Sequence, residues 1–183
     1  MFTVFLELGF DHILDGYDHL LFLAGLIIVA DNWRALLAVI SAFTLTHSTT
    51  LVLSALDILS LDPDLTETLI AASIAYVGIE NVVAREQKRR WLVAGGFGLI
   101  HGAGFSGHLT ELLRSVMEMG TIWNPLIGFN IGIELGQIVV IVVSVPIIYV
   151  LRKLVRWDAL VPEISRILAA VGVFLVISRV WEL

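Results

Sequence analysis

Long apolar runs, each closed by a short charged or helix-breaking stretch, organise the whole chain, and single polar residues recur inside them. A membrane-spanning helix needs about 20 mostly apolar residues. Six runs approach that measure, at about 13–30, 35–56, 68–83, 91–109, 125–151 and 159–181, the fourth with an amphipathic continuation to Met119. Glu80 interrupts the third. Glu163 and Arg166 stand early in the sixth, three residues apart and so placed to pair on one helix face. The pattern predicts an all-α fold, a polytopic membrane helix bundle of about six transmembrane helices forming one transmembrane domain over residues 1–183.

Composition turns that pattern into a statement about solvent. The 183 residues are 58% hydrophobic and 15% charged, whereas soluble domains carry about 25% charged residues, so lipid is the expected surroundings. A net charge of -6 with dispersed basic residues excludes a phosphate-binding face and hence nucleic acid as a partner. The absence of cysteine leaves only nitrogen and oxygen to hold a metal. Without a basic n-region and a small-residue cleavage site, the first span is expected to direct insertion itself.

Charge also sets the expected orientation. Arg34, then Arg85, Lys88, Arg89 and Arg90, then Arg152, Lys153 and Arg156 occupy alternate loops; Asp57, Asp62, Asp64 and Glu67, and then Glu111, Arg114 and Glu118, occupy loops between them. Cytoplasmic loops retain Lys and Arg. Both termini are therefore expected to be extracytoplasmic, in a multi-pass protein of the inner (cell) membrane.

The chemistry lies in the polar residues inside the apolar runs. His12, Asp15 and His19 fall at i, i+3 and i+7, one stripe of a continuous helix, with Asp18 beside them. A polar helix start capped by Asp11, Asp15 or Asp18 is the alternative, and Asp15-Gly16 can form a turn. His47 stands with Thr44, Ser48 and Ser54 in the second run, and His101 among Gly98, Gly102 and Gly104 in the fourth. Ser73, Tyr76 and Glu80 punctuate the third; Asn130, Glu134 and Gln137 make a polar stripe on the fifth. A carboxylate in mid-membrane costs about 2.5–3.5 kcal/mol unless paired, hydrated or protonated.

With alternating helix direction, His19, His47, His101 and Glu134 converge on the outer half or middle of the membrane. Imidazole and carboxylate suit Zn, Ni, Cu or Fe without choosing among them. A hydrogen-bonded polar core or a proton path would use the same residues. Separately, Gly128, Gly132 and Gly136 define a small-residue face for close helix packing, within the bundle or in a homo-oligomer.

Four motifs in order, His12-x5-Asp18-His19, Phe43-Thr44-Leu45-Thr46-His47-Ser48, Gly98-Leu99-Ile100-His101-Gly102-Ala103-Gly104-Phe105 and Phe129-Asn130-Ile131-Gly132-Ile133-Glu134-Leu135-Gly136-Gln137, resemble the second branch of the HupE/UreJ group. These are hydrogenase and urease accessory membrane proteins regarded as nickel or cobalt permeases. Ile100 precedes His101-Gly102 where the better-studied permeases have a Phe-His-Gly signature with a second His and a Glu. Residues and resemblance together point to a transporter of a divalent transition-metal ion (Ni, Co, Zn or Cu). Asp18, His19, His47, His101 and Glu134 would hold the ion, His12 and Asp15 would relay it from the entrance, and Asn130, Gln137, Ser48 and Glu80 would orient the ligands. No nucleotide-binding loop is present, so a gradient, the membrane potential or a partner would drive uptake. The rival is a metal-dependent intramembrane enzyme, hydrolytic or redox, or a metal sensor. Gly104-Phe105-Ser106-Gly107 resembles the rhomboid nucleophile motif, but no histidine base lies in the sixth run.

Overall fold

The computed structural model describes residues 1–30, 32–56, 58–59, 61–84, 89–104, 112, 115–116 and 123–182. Among the described residues there are seven helices and no strand: α1 (Phe2–Asp15), α2 (Tyr17–Ile27), α3 (Trp33–Ala55), α4 (Pro63–Val83), α5 (Arg90–Ala103), α6 (Trp123–Leu154) and α7 (Trp157–Glu182). Their starts follow local chemistry. Asn32 caps α3 by accepting from the Ala35 amide at 2.9 Å. Asp62 caps α4 by accepting from Leu65 at 3.1 Å, and Pro63 opens that helix where a missing N–H costs nothing.

Among the described residues three helices, α3, α6 and α7, are long and apolar enough to cross a membrane. The expected first span differs most from the structure. Helix begins at Phe2 instead of Ile13 and breaks at Gly16, whose extended backbone (φ -75°, ψ 94°) separates α1 from α2. Glu7 and Asp11 hide α1 from a search for apolar runs, yet both are exposed, while Phe5, Gly9 and Ile13 are buried. The helical part of the expected fourth span ends at Ala103; its remainder from Phe105, with Ser106, Gly107 and His108, lies outside the described residues, as do Asp57, Arg85, Lys88, Glu111, Arg114 and Glu118.

The helices pack as three close pairs, α1 with α6, α3 with α5 and α4 with α7. Glycine contacts give each pair its direction. Gly128 meets Phe2, Gly132 meets Leu6 and Gly136 meets Phe10, so α1 runs parallel to α6. Gly98 meets Phe43 and Gly102 meets His47, so α3 and α5 are also parallel. Gly78 lies against Ser165 and Ala169, and Gly172 against Ala75, so α4 and α7 are antiparallel. The Gly128/Gly132/Gly136 face expected to join helices is thus covered by α1 of the same chain.

At Gly132 the approach is backbone to backbone: a Cβ there would collide with the Leu6 carbonyl oxygen. Forcing extra atoms into a packed interface costs about 1–3 kcal/mol, and a backbone neighbour cannot rotate away. Gly132→Val should therefore lower the unfolding midpoint in detergent clearly, whereas the same change at exposed Ile131 should leave it within error.

Most of the described basic residues, Arg34, Arg89, Arg90, Arg152, Lys153 and Arg156, gather at one end of the bundle. The Arg152 Nη2 donates to the Ala30 carbonyl at 3.5 Å, and Arg90 Nη2 donates to the Gly25 carbonyl at 3.0 Å, alongside Asn81 at 2.8 Å. Glu80 lies 4.0 Å from Arg90. At the opposite end, the start of α4 and the end of α7 meet through the Glu67–Arg179 ion pair, with Arg179 donating to the Tyr17 hydroxyl at 3.1 Å.

Candidate metal centre

The break at Gly16 shapes the site. On an unbroken helix, seven residues separate two Cα atoms by about 10 Å along the axis. Here the His12 and His19 ring centroids are 4.5 Å apart. Helix α3 contributes His47, whose ring lies 6.0 Å from His12 and 6.4 Å from His19. One potential ligand atom from each of these three imidazoles falls within 4.8 Å of the other two. From α5 comes His101, 5.1 Å from His19 between ring centroids. His19, His47 and His101 are buried.

Two of these rings each have a polar neighbour at one nitrogen and none at the other. The Asp18 carboxylate lies 3.0 Å from His19 Nδ1 and also accepts from the His19 amide at 2.8 Å. The Ser73 hydroxyl is 3.0 Å from His101 Nε2. His101 Nδ1 and both nitrogens of His19 are buried with no hydrogen-bond partner among the described residues, the Asp18 carboxylate facing His19 Nδ1 as an ion-pair neighbour. Burying an unsatisfied polar atom is costly, and metal-ligating histidines present this pattern, one nitrogen held by a neighbour and the other turned to the ion. A tetrahedral ion with ligands at about 2.0–2.1 Å would require only small closing movements of rings already this near.

An acid-lined cleft of about 280 Å³ reaches the group. His12, His19 and His101 line it, together with Asp15, Asp18 and Glu67, and Arg179 stands at its wall. On the opposite side the way is filled with aromatic rings. Phe22 follows His19 by three residues, while Phe43 and Phe97 precede His47 and His101 by four, so each lies one turn nearer the basic end. Phe22 and Phe43 approach the His101 ring to 5.1 and 5.2 Å, and Phe97 packs on Phe22 at 5.7 Å.

Of the residues singled out in the sequence, His19, His47 and His101 come together, with Asp18 beside His19. His12, expected as an entrance relay, belongs to the imidazole group itself. Asp15 is exposed on the cleft wall. Glu134 does not join the group: it is exposed on α6, while its neighbours in the stripe turn inward. Gln137 Oε1 accepts from Thr44 at 2.9 Å, and Asn130 Oδ1 accepts from the Ser48 hydroxyl. Those bonds tie α3, which carries His47, to α6. Glu80 sits far along α4 at Arg90, at the basic end.

Ser73 and the three phenylalanines were not assigned to the site from sequence. Ser73 was legible as a polar residue in an apolar run and Phe43 opened one of the four motifs, but Phe22 and Phe97 in such runs carry no signal. Partners that hold the far nitrogen of a ligating imidazole are worth about 10–100-fold in metal affinity. Ser73→Ala should weaken binding by about tenfold in a competition titration with a chelator, and Ser73→Thr, which keeps the hydroxyl, should restore most of it.

An all-helical bundle with apolar helices of membrane length and a buried imidazole group beside an acidic cleft is a membrane protein with a candidate histidine metal site. The family model described as HupE / UreJ protein matches residues 1–183. The chain belongs to the HupE/UreJ family. No curated protein and no solved structure matches it.

Proposed function

We propose that the protein transports a divalent transition-metal ion of the nickel or cobalt type across the cell membrane, entering from the acid-lined cleft. One observation carries the reading: three imidazoles from α1, α2 and α3 present ligand atoms within 4.8 Å of one another inside the bundle. The family is associated with nickel and cobalt accessory or transport function. His12, His19 and His47 bind the ion and His101 completes or receives it. Asp18 positions His19, while Asp15, exposed on the cleft wall, raises the local cation concentration at the mouth. Glu134 has no part in this site.

Helix directions support a six-crossing arrangement in which α1 and α2 together make the first crossing. The parallel α1/α6 and α3/α5 pairs and the antiparallel α4/α7 pair are those that strict alternation requires. Basic residues at one end and the acidic cleft at the other support extracytoplasmic termini. The phenylalanine layer separates the site from the basic end, so the described arrangement is accessible from outside and closed within. Its opening is the conformational step that transport demands.

Each imidazole must be neutral to ligate, so metal capture weakens as the pH falls. The test is uptake of Ni, Co, Zn or Cu into proteoliposomes with a metal-sensitive dye inside. Saturable influx that disappears in His19→Ala supports the reading; stoichiometric binding without flux in either direction overturns it. A three-imidazole set beside a polar cleft also fits a metal-dependent hydrolase, and that second reading predicts substrate turnover in the absence of flux.

A further inference from the structure

At the basic end, away from the histidines, α2, α3 and α6 enclose a groove of about 550 Å³, within the range of about 300–1,000 Å³ common for small-molecule sites. Its walls are apolar, with Leu36, Leu37, Ile141 and Val145 among them, and its end carries Trp33, Tyr149 and Arg152. We infer that this groove binds an anionic phospholipid, one acyl chain lying along α6 and the phosphate on Arg152.

Length, charge and the state of the arginine support that occupant. From Ile141 to Arg152 the helix rises about 16 Å, close to one leaflet of a hydrocarbon core about 30 Å thick. Three cations stand at the groove's end: Arg152 over the Trp157 ring at 5.3 Å, Lys153 over Tyr149 at 4.1 Å and Arg34 over Trp33 at 5.3 Å. Aromatic rings and basic side chains together mark the headgroup level. Arg152 makes a long 3.5 Å bond to the Ala30 carbonyl and has no carboxylate partner among the described residues, so its guanidinium can take a phosphate. Leu37 and Val145 are each 45% exposed, more apolar surface than a closed interface would leave. A lipid tail covers that surface, and the headgroup fixes its polarity.

The groove does not depend on the metal reading, and the experiment is independent of metal. Purified protein is equilibrated with phosphatidylglycerol and phosphatidylcholine of identical acyl chains, and bound lipid and copy number are read together by native mass spectrometry. Wild type should retain one phosphatidylglycerol per chain in preference to phosphatidylcholine. Arg152→Gln should lower that preference by about fivefold, the effect of one basic residue near an anionic surface. Val145→Trp should fill the groove and lose the lipid of either kind, while Ile131→Trp on exposed α6 should retain it. Unchanged preference in Arg152→Gln overturns the inference, even if Val145→Trp fails to fold. So does a copy number that falls in Val145→Trp with no bound lipid in wild type, which would assign the groove to a second copy of the chain.

Discussion

Replacing His47 by alanine should abolish stoichiometric metal binding in detergent, with affinity falling by more than the about 10–100-fold typical of losing an outer partner of a ligand. His47 is fully buried, comes from a different helix than the other two close imidazoles, and so closes the ligand set across the bundle. Without it, His12 and His19 offer two nitrogens on one broken helix pair and His101, 5.1 Å from His19 between ring centroids, at most a third, so the set drops from four imidazoles to three and loses its link to α3. Elemental analysis after equal exposure to Ni, Co, Zn and Cu measures the effect. Glu134→Gln is the informative companion, because the exposed position of Glu134 predicts full metal content. Retained metal in His47→Ala, or lost metal in folded Glu134→Gln, would move the site elsewhere.

Gly16→Ala should weaken metal binding by at least tenfold while the protein still folds, with a fall in its unfolding midpoint from the crowded Cβ. Alanine favours helix over glycine by about 1 kcal/mol, which acts against the extended turn between α1 and α2. A Cβ at this position would also stand 2.5 Å from His19 Nδ1 and 2.9 Å from the His12 carbonyl, so the imidazole must move. The two effects share one consequence, separation of His12 from His19. Thermal unfolding and chelator competition on the same sample distinguish this from damage to the fold. Wild-type affinity in Gly16→Ala would mean that the break does not assemble the site.

Much of this molecule is written in local pattern. Apolar run lengths placed helices close to where α3, α4, α6 and α7 stand, because a helix facing lipid must be apolar along its length and its ends must meet charge or a cap. The isolated histidines were equally legible, since a polar group in such a run is expensive enough to demand a reason. Which of them share a site was a different matter. Spacing placed His12 and His19 on one stripe of a continuous helix and assigned Glu134 to the midplane, because a repeat of 3.6 residues is all that a single strand of text encodes.

Tertiary structure decided the rest. Helix α1 forms despite Glu7 and Asp11 because its buried face lies on the Gly128/Gly132/Gly136 seam, a contact between segments more than a hundred residues apart. That docking, with the turn at Gly16, brings two imidazoles within ring contact. The rotation of α6 that buries Gln137 against Thr44 leaves Glu134 outside. Sequence determined which side chains must be accounted for, through the cost of putting each in an apolar medium; only packing determined which of them meet, because helix rotation and helix breaks are set by neighbours that local pattern does not contain.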